Sequence, residues 1–176
     1  MTRARRDPLL ATVRAVLSVA MIGAVLVSTA LLATIPLVLL WPAPVLAELS
    51  RRAGGTLPAE FVYAIAGVMA LIAVTAVLGL LFIRLLRRII DSVADGDPFI
   101  PENAVRLGQM GWLSVAVQLI ALPAGALSGW IAYTGHLRYI DVGFSVGGVV
   151  LALILFILAR VFRQGAQMRA DLEGTV

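Results

Sequence analysis

The sequence predicts an all-α polytopic membrane protein: a four-transmembrane-helix antiparallel bundle with cytoplasmic amphipathic extensions. Three observations lead there. Of the 176 residues 61% are hydrophobic and only 14% charged, where a soluble domain carries about a quarter charged residues; the mean hydropathy is +1.00. Four long runs contain no charged side chain, at about 15–40, 62–83, 112–133 and 142–159. The arginines collect at alternate ends of those runs.

A bilayer core about 30 Å thick is crossed by roughly 20 apolar residues in a helix. Backbone inside lipid must satisfy its own hydrogen bonds, so each run reads as a spanning helix. The first follows Arg3, Arg5 and Arg6, a pattern shared with secretory signals. A signal's apolar region is only about 7–15 residues long, however, so this run reads as a retained helix. Pro42, Pro44, Gly54, Gly55 and Pro58 then mark 41–60 as an irregular outer loop.

The second run continues into an amphipathic extension. Arg84, Arg87, Arg88 and Asp91 share one helical face, and Leu85, Leu86, Ile89, Ile90 and Val93 take the other. That pattern suits a helix lying against lipid headgroups. Asp95-Gly96-Asp97-Pro98 breaks it, and Pro101-Glu102 restarts a helix with proline in the first turn and a carboxylate at the positive end. These residues form a cytoplasmic loop, 84–111. The third run holds Pro123, which lacks a donor and clashes with the carbonyl of Leu119, predicting a kink. A tight turn at 134–141 leads to the fourth run and a cytoplasmic tail, 160–176. The chain is one membrane domain, 1–176.

Every basic side chain is arginine, a bias that points to a bacterial genome. Arg3, Arg5, Arg6 and Arg14, then Arg84, Arg87, Arg88 and Arg106, then Arg160, Arg163 and Arg169 lie on one side. Only Arg51, Arg52 and Arg138 lie on the other. Positive charge is retained inside, so both termini and the middle loop are assigned to the cytoplasm of a multi-pass protein in a bacterial cytoplasmic (inner) membrane. Trp41, Phe61, Tyr63, Trp130, Tyr133 and Tyr139 fall near the outer ends of the runs, as an interfacial aromatic belt requires.

A net charge of +4 and a pI near 10.6 raise the question of nucleic acid. The arginines sit in short groups at the ends of apolar runs rather than on a docking face, so direct nucleic-acid binding is not expected. The lack of cysteine excludes disulfides and thiolate chemistry. His136, the single histidine, reads as an exposed interfacial side chain. Asp91, Asp95, Gly96, Asp97 and Glu102 have the spacing of a calcium loop, but Val93 replaces an oxygen ligand and Pro98 an apolar residue. The acids read instead as caps and as partners of the arginines. No nucleophile–base pair, phosphate loop or zinc signature appears. No catalytic, cofactor-binding or metal residue is assigned, no cofactor is expected, and the chain does not read as an enzyme.

Gln118 is the strongly polar side chain within the apolar runs, accompanied by hydroxyls such as Ser28, Thr29, Thr34, Thr75 and Ser145. Such groups either bond a helix carbonyl and bridge neighbours, or contact a substrate. Gly125 and Gly129 form one G-x-x-x-G pair, and Gly143 and Gly147 repeat it at the start of the fourth run. Each pair lies on one helix face and serves either packing within the chain or a homodimer.

Two segments carry a family resemblance. One runs from Leu86-Arg87-Arg88-Ile89-Ile90 through Gly96-Asp97-Pro98-Phe99 to Glu102-Asn103-Ala104-Val105-Arg106-Leu107. The other runs from Ala159-Arg160-Val161-Phe162-Arg163-Gln164-Gly165-Ala166 to Asp171-Leu172-Glu173-Gly174-Thr175-Val176. Together they resemble a bacterial membrane protein family, domain of unknown function 2975. The resemblance implies a four-helix membrane protein of unknown activity whose gene often neighbours that of a small Cro/C1-type helix-turn-helix regulator.

The functional expectation is therefore a regulatory or interaction protein whose loop and tail bind a cytoplasmic partner, a Cro/C1-type regulator by the resemblance. Arg87, Arg88, Phe99, Asn103, Arg106, Phe162 and Arg163 are the candidate contacts, with the two phenylalanines as anchors amid arginines. In the competing reading these arginines only anchor helix ends in the lipid bilayer and pair with Asp91, Asp95 and Asp97. An oligomeric small-solute transporter or channel, and a structural envelope protein, stand as alternatives.

Overall fold

The computed structural model describes residues 8–94, 96–135 and 142–173. Arg3, Arg5, Arg6, Asp95, His136, Arg138, Tyr139 and residues 174–176, all given roles in the sequence reading, lie outside the described residues. Five helices follow in order: α1 (Pro8–Leu40), α2 (Pro42–Ala53), α3 (Glu60–Ala94), α4 (Pro101–Gly135) and α5 (Val146–Glu173). The architecture is all-α, and α1, α3, α4 and α5 are each long and apolar enough to cross a membrane. The chain is a multi-pass membrane protein.

The helices exceed the apolar runs. α3 and α4 have 35 residues each, about 52 Å at 1.5 Å per residue, against a hydrocarbon core of about 30 Å. The two helical parts expected within 84–111 are continuous with α3 and α4, leaving a short connection between Ala94 and Pro101. Part of the apolar face of 84–93 packs within the chain: Ile89 clusters with Leu107, Met110, Leu155 and Ala159, and Leu85 and Leu86 pack against them, while Val93 is exposed. α1 and α4 each remain single helices through an internal proline, Pro36 and Pro123 respectively.

The outer segment 41–60 is not irregular throughout, because it contains the 12-residue helix α2. Pro42 occupies its first position, where a missing N–H is harmless. Val45, Leu46 and Leu49 are half-buried along one stripe, while Arg51 and Arg52 are exposed and both pair with Glu48. Gly54 ends the helix at φ 73°. The Gly54 and Gly55 N–H groups donate to the Arg51 and Ser50 carbonyls, the paired bonds of a Schellman stop.

The chain divides into two compact units. One comprises residues 1–24, 79–115 and 147–176. Within it Arg14 meets Asp91 at 2.7 Å while Arg87 lies 3.9 Å from the Met21 sulfur, so α1 and α3 run antiparallel. Phe156 packs edge-on to Trp112 while Phe162 meets Phe99, so α5 runs antiparallel to α4. Gly111 makes the former contact feasible, since a Cβ there would stand 2.8 Å from the Phe156 ring.

The other unit comprises residues 25–78 and 116–146. Its buried hydrophobic residues are Phe61, Val62, Ala66, Ala73, Ala121 and Ala124. Phe61 is fully buried with its ring 6.0 Å from that of Trp130, so it is a core residue and not part of the expected belt. Trp41, Tyr63, Trp130 and Tyr133 are exposed as the belt requires. Gln118 is buried and its amide donates to the Ser145 carbonyl.

The glycine pairs separate in this description. A Cβ on Gly125 would stand 3.1 Å from the Gly143 Cα, a direct approach of two backbones. Gly143 itself precedes α5, which starts at Val146. The expected shared helix face with Gly147 is therefore not formed. Ser145 stands immediately before the helix, and serine is a favoured helix-starting residue whereas glycine is a poor helix former. Gly147 is exposed on α5, and Gly129 is half-buried within α4.

Candidate functional site

The two segments that carried the resemblance converge at one end of the first unit, around the connection between α3 and α4. The stop of α3 is set by Gly96, at φ 89°. The Gly96 N–H donates to the Val93 carbonyl and the Asp97 N–H to the Ser92 carbonyl, both at 3.1 Å, again a Schellman stop that only glycine adopts without strain. Pro98 then prevents continuation, and the Asn103 N–H donates to Ile100 at 3.0 Å as α4 begins.

Asn103 fastens this turn from inside. It is fully buried, and its amide nitrogen donates to the Ser92 hydroxyl at 2.6 Å and the Pro98 carbonyl at 2.9 Å. Its oxygen accepts from the Arg106 guanidinium at 2.7 Å. Arg106 also reaches the Arg88 carbonyl at 3.4 Å. Asn103 is thus a structural clasp and not the surface contact expected of it. Arg106, half-buried and committed to Asn103, braces the same turn. The expected contact Arg87 is half-buried beside Met21.

The C-terminal half of α5 lies against the turn. The rings of Phe99 and Phe162 are 5.2 Å apart and tilted by 38°, within the range of favourable aromatic pairs. Gly165 gives Phe99 its place, since a Cβ there would come within 2.8 Å of the ring. Arg169 pairs with Asp97 at 2.5 Å, with both side chains substantially exposed. Such a pair is worth about 0–1 kcal/mol, so the aromatic contact contributes more to the docking of α5.

Beside this contact runs a shallow groove of about 300 Å3, lined by Pro101 and Val105 of α4 and by Arg163, Ala166, Gln167 and Ala170 of α5. Val105 is 56% exposed and Arg163 is exposed on the rim. Of the seven contacts expected from sequence, Phe99, Phe162 and Arg163 come together here, while Asn103 and Arg106 are engaged in bracing the turn. Arg88 is exposed and lines a different groove. The sequence reading missed Val105, Ala166, Gln167 and Ala170. Their signal was present: residues 163, 166, 167 and 170 recur at helical spacing, small or polar on one face.

Among the described residues no cluster of three or more metal-ligating side chains occurs. No buried side-chain nitrogen or oxygen among them lacks a hydrogen-bond partner. Exposed apolar, aromatic and cationic groups, Val105, Phe99 and Arg163, stand together at the turn and groove.

No curated protein and no solved structure matches the chain. Residues 39–176, which include the whole of the turn, its clasp and the α5 segment against it, match the family model described as protein of unknown function (DUF2975), and the chain belongs to that family.

Proposed function

We propose that this protein is a non-enzymatic interaction protein of a bacterial cytoplasmic membrane, which docks a soluble partner on the surface built by the α3–α4 turn and the end of α5. The observation that carries the reading is the Phe99–Phe162 contact. It joins two chain segments about sixty residues apart into one preformed patch, with exposed Phe99, Val105 and Arg163 at its edge. Aromatic and arginine side chains in a preorganised setting are what interface hot spots use.

The arginine distribution supports a cytoplasmic position for this patch and for both termini. The resemblance implies a Cro/C1-type regulator as the partner. A second copy of the chain is the other partner we propose, supported by the exposure of Gly147 on α5.

The test is co-purification with a Cro/C1-type regulator, where one is encoded beside this gene, comparing wild type with Arg163→Glu, Val105→Arg and a chain ending after Gly165. The expected result is loss of the regulator in all three with normal membrane insertion. Full retention in all three refutes the docking role and leaves these residues as membrane anchors.

A further inference from the structure

A second groove, of about 540 Å3, opens between α3 and α4. α3 contributes Leu81, Arg84, Leu85 and Arg88, and α4 contributes Gln109, Trp112 and Leu113. Its volume falls within the range of small-molecule sites, about 300–1,000 Å3. Its lining combines leucines with two arginines and a glutamine. Leu81 lies within the apolar run of α3, whereas Arg84 and Arg88 follow on successive turns where that run ends.

We propose that this groove holds the headgroup of an anionic phospholipid, with its phosphate between Arg84 and Arg88 and the upper acyl chain against Leu81, Leu85 and Leu113. Four features fit that ligand. The two arginines are four residues apart on one face and exposed, so their like charges oppose one another until an anion intervenes. No acidic residue lines the groove, and among the described residues neither guanidinium has a side-chain hydrogen bond or ion pair, unlike Arg14, Arg106 and Arg169.

Guanidinium groups bind phosphate oxygens through paired N–H bonds. Trp112 is 68% exposed, yet its ring is held by the edge of Phe156 at 5.5 Å. A fixed indole at the end of an apolar run is the usual marker of headgroup depth. Basic grooves between membrane helices are where anionic headgroups lodge.

The experiment is native mass spectrometry of the whole chain released from detergent, titrated with phosphatidylglycerol, with phosphatidylcholine, and with inorganic phosphate alone. Wild type is expected to retain phosphatidylglycerol over phosphatidylcholine. Arg84→Gln with Arg88→Gln weakens that retention roughly tenfold or more, and Arg51→Gln with Arg52→Gln, an equal change of charge on α2, leaves it unaltered. Should the groove double variant fail to fold, Gln109→Glu sets a carboxylate beside the phosphate and is expected to weaken retention likewise. Equal binding of the two lipids, or equal loss in both double variants, overturns the proposal. So does undiminished retention in Gln109→Glu. Saturation by inorganic phosphate, with phosphatidylglycerol then excluded, overturns it in favour of a free-anion site.

Discussion

Phe99 rests its ring where a side chain on Gly165 would stand: a Cβ there lies 2.8 Å from the Phe99 Cδ1. The obstructing atoms are the ring of a rotatable side chain, so alanine is accommodated by a small tilt and a branched residue is not. Gly165→Val is expected to destabilise the chain in detergent by about 1–3 kcal/mol through overpacking. Phe99→Ala should relieve most of that effect, giving a non-additive double-mutant cycle. Additive thermal-unfolding shifts would show that the two residues do not share this space.

The Asn103 clasp makes a different demand. Replacing it with leucine removes the donor to Pro98 and Ser92 and the acceptor for Arg106. Orphaned buried polar groups cost about 1–3 kcal/mol. The expected outcome of Asn103→Leu is faster hydrogen exchange at residues 96–100 and a lower unfolding temperature. Unchanged exchange there would mean that Gly96 and Pro98 hold the turn unaided.

At Gly125 the neighbour is backbone, the Gly143 Cα at 3.1 Å, which yields less readily than a side chain. Gly125→Val is expected to destabilise by about 1–3 kcal/mol, more than the same change at Gly79, where no atom lies within 4 Å of the added Cβ. Equal thermal shifts at the two glycines would remove the case for a required close approach.

Orientation is open to thiol labelling, because the chain contains no native cysteine. Glu102→Cys and Gln167→Cys are expected to resist a membrane-impermeant maleimide in intact cells, and Thr56→Cys to react. Reaction of Gln167→Cys from outside would reverse the assignment drawn from the arginines.

The spanning helices were legible because lipid imposes one simple requirement, a long apolar run, and charge ends it. Arg84 closes the apolar part of α3 without ending the helix, and the stop, Gly96, lies twelve residues on, in turn chemistry that the sequence displays openly. α2 was obscured by its prolines and glycines, although Pro42 at the first position and the Val45, Leu46, Leu49 stripe were its signature. Phe99, Phe162 and Arg163 were found because apolar and cationic residues beyond the apolar runs stand out. The burial of Asn103 was not visible, since an amide is buried only where partners arrive, and Ser92 and Pro98 reach it through a fold the local sequence does not encode. Phe61 was misplaced for a related reason: position near the end of a run says interface, and only its contact with Trp130 says core.

The four long helices differ in how much they need one another during biogenesis. The most apolar window of α1 has a mean hydropathy of 2.4 with 6% of its residues buried within the chain, whereas that of α4 has 1.7 with 17% buried. A segment that is apolar on all sides partitions from the translocon into lipid unaided. α4 carries the Gln118 amide, and the carbonyl that satisfies it belongs to Ser145, a residue synthesised 27 positions later. Until the ribosome has released that stretch this bond cannot form, and the amide is left to the carbonyls of its own helix. The third long helix therefore completes its polar contacts only once Ser145 has followed it out of the ribosome.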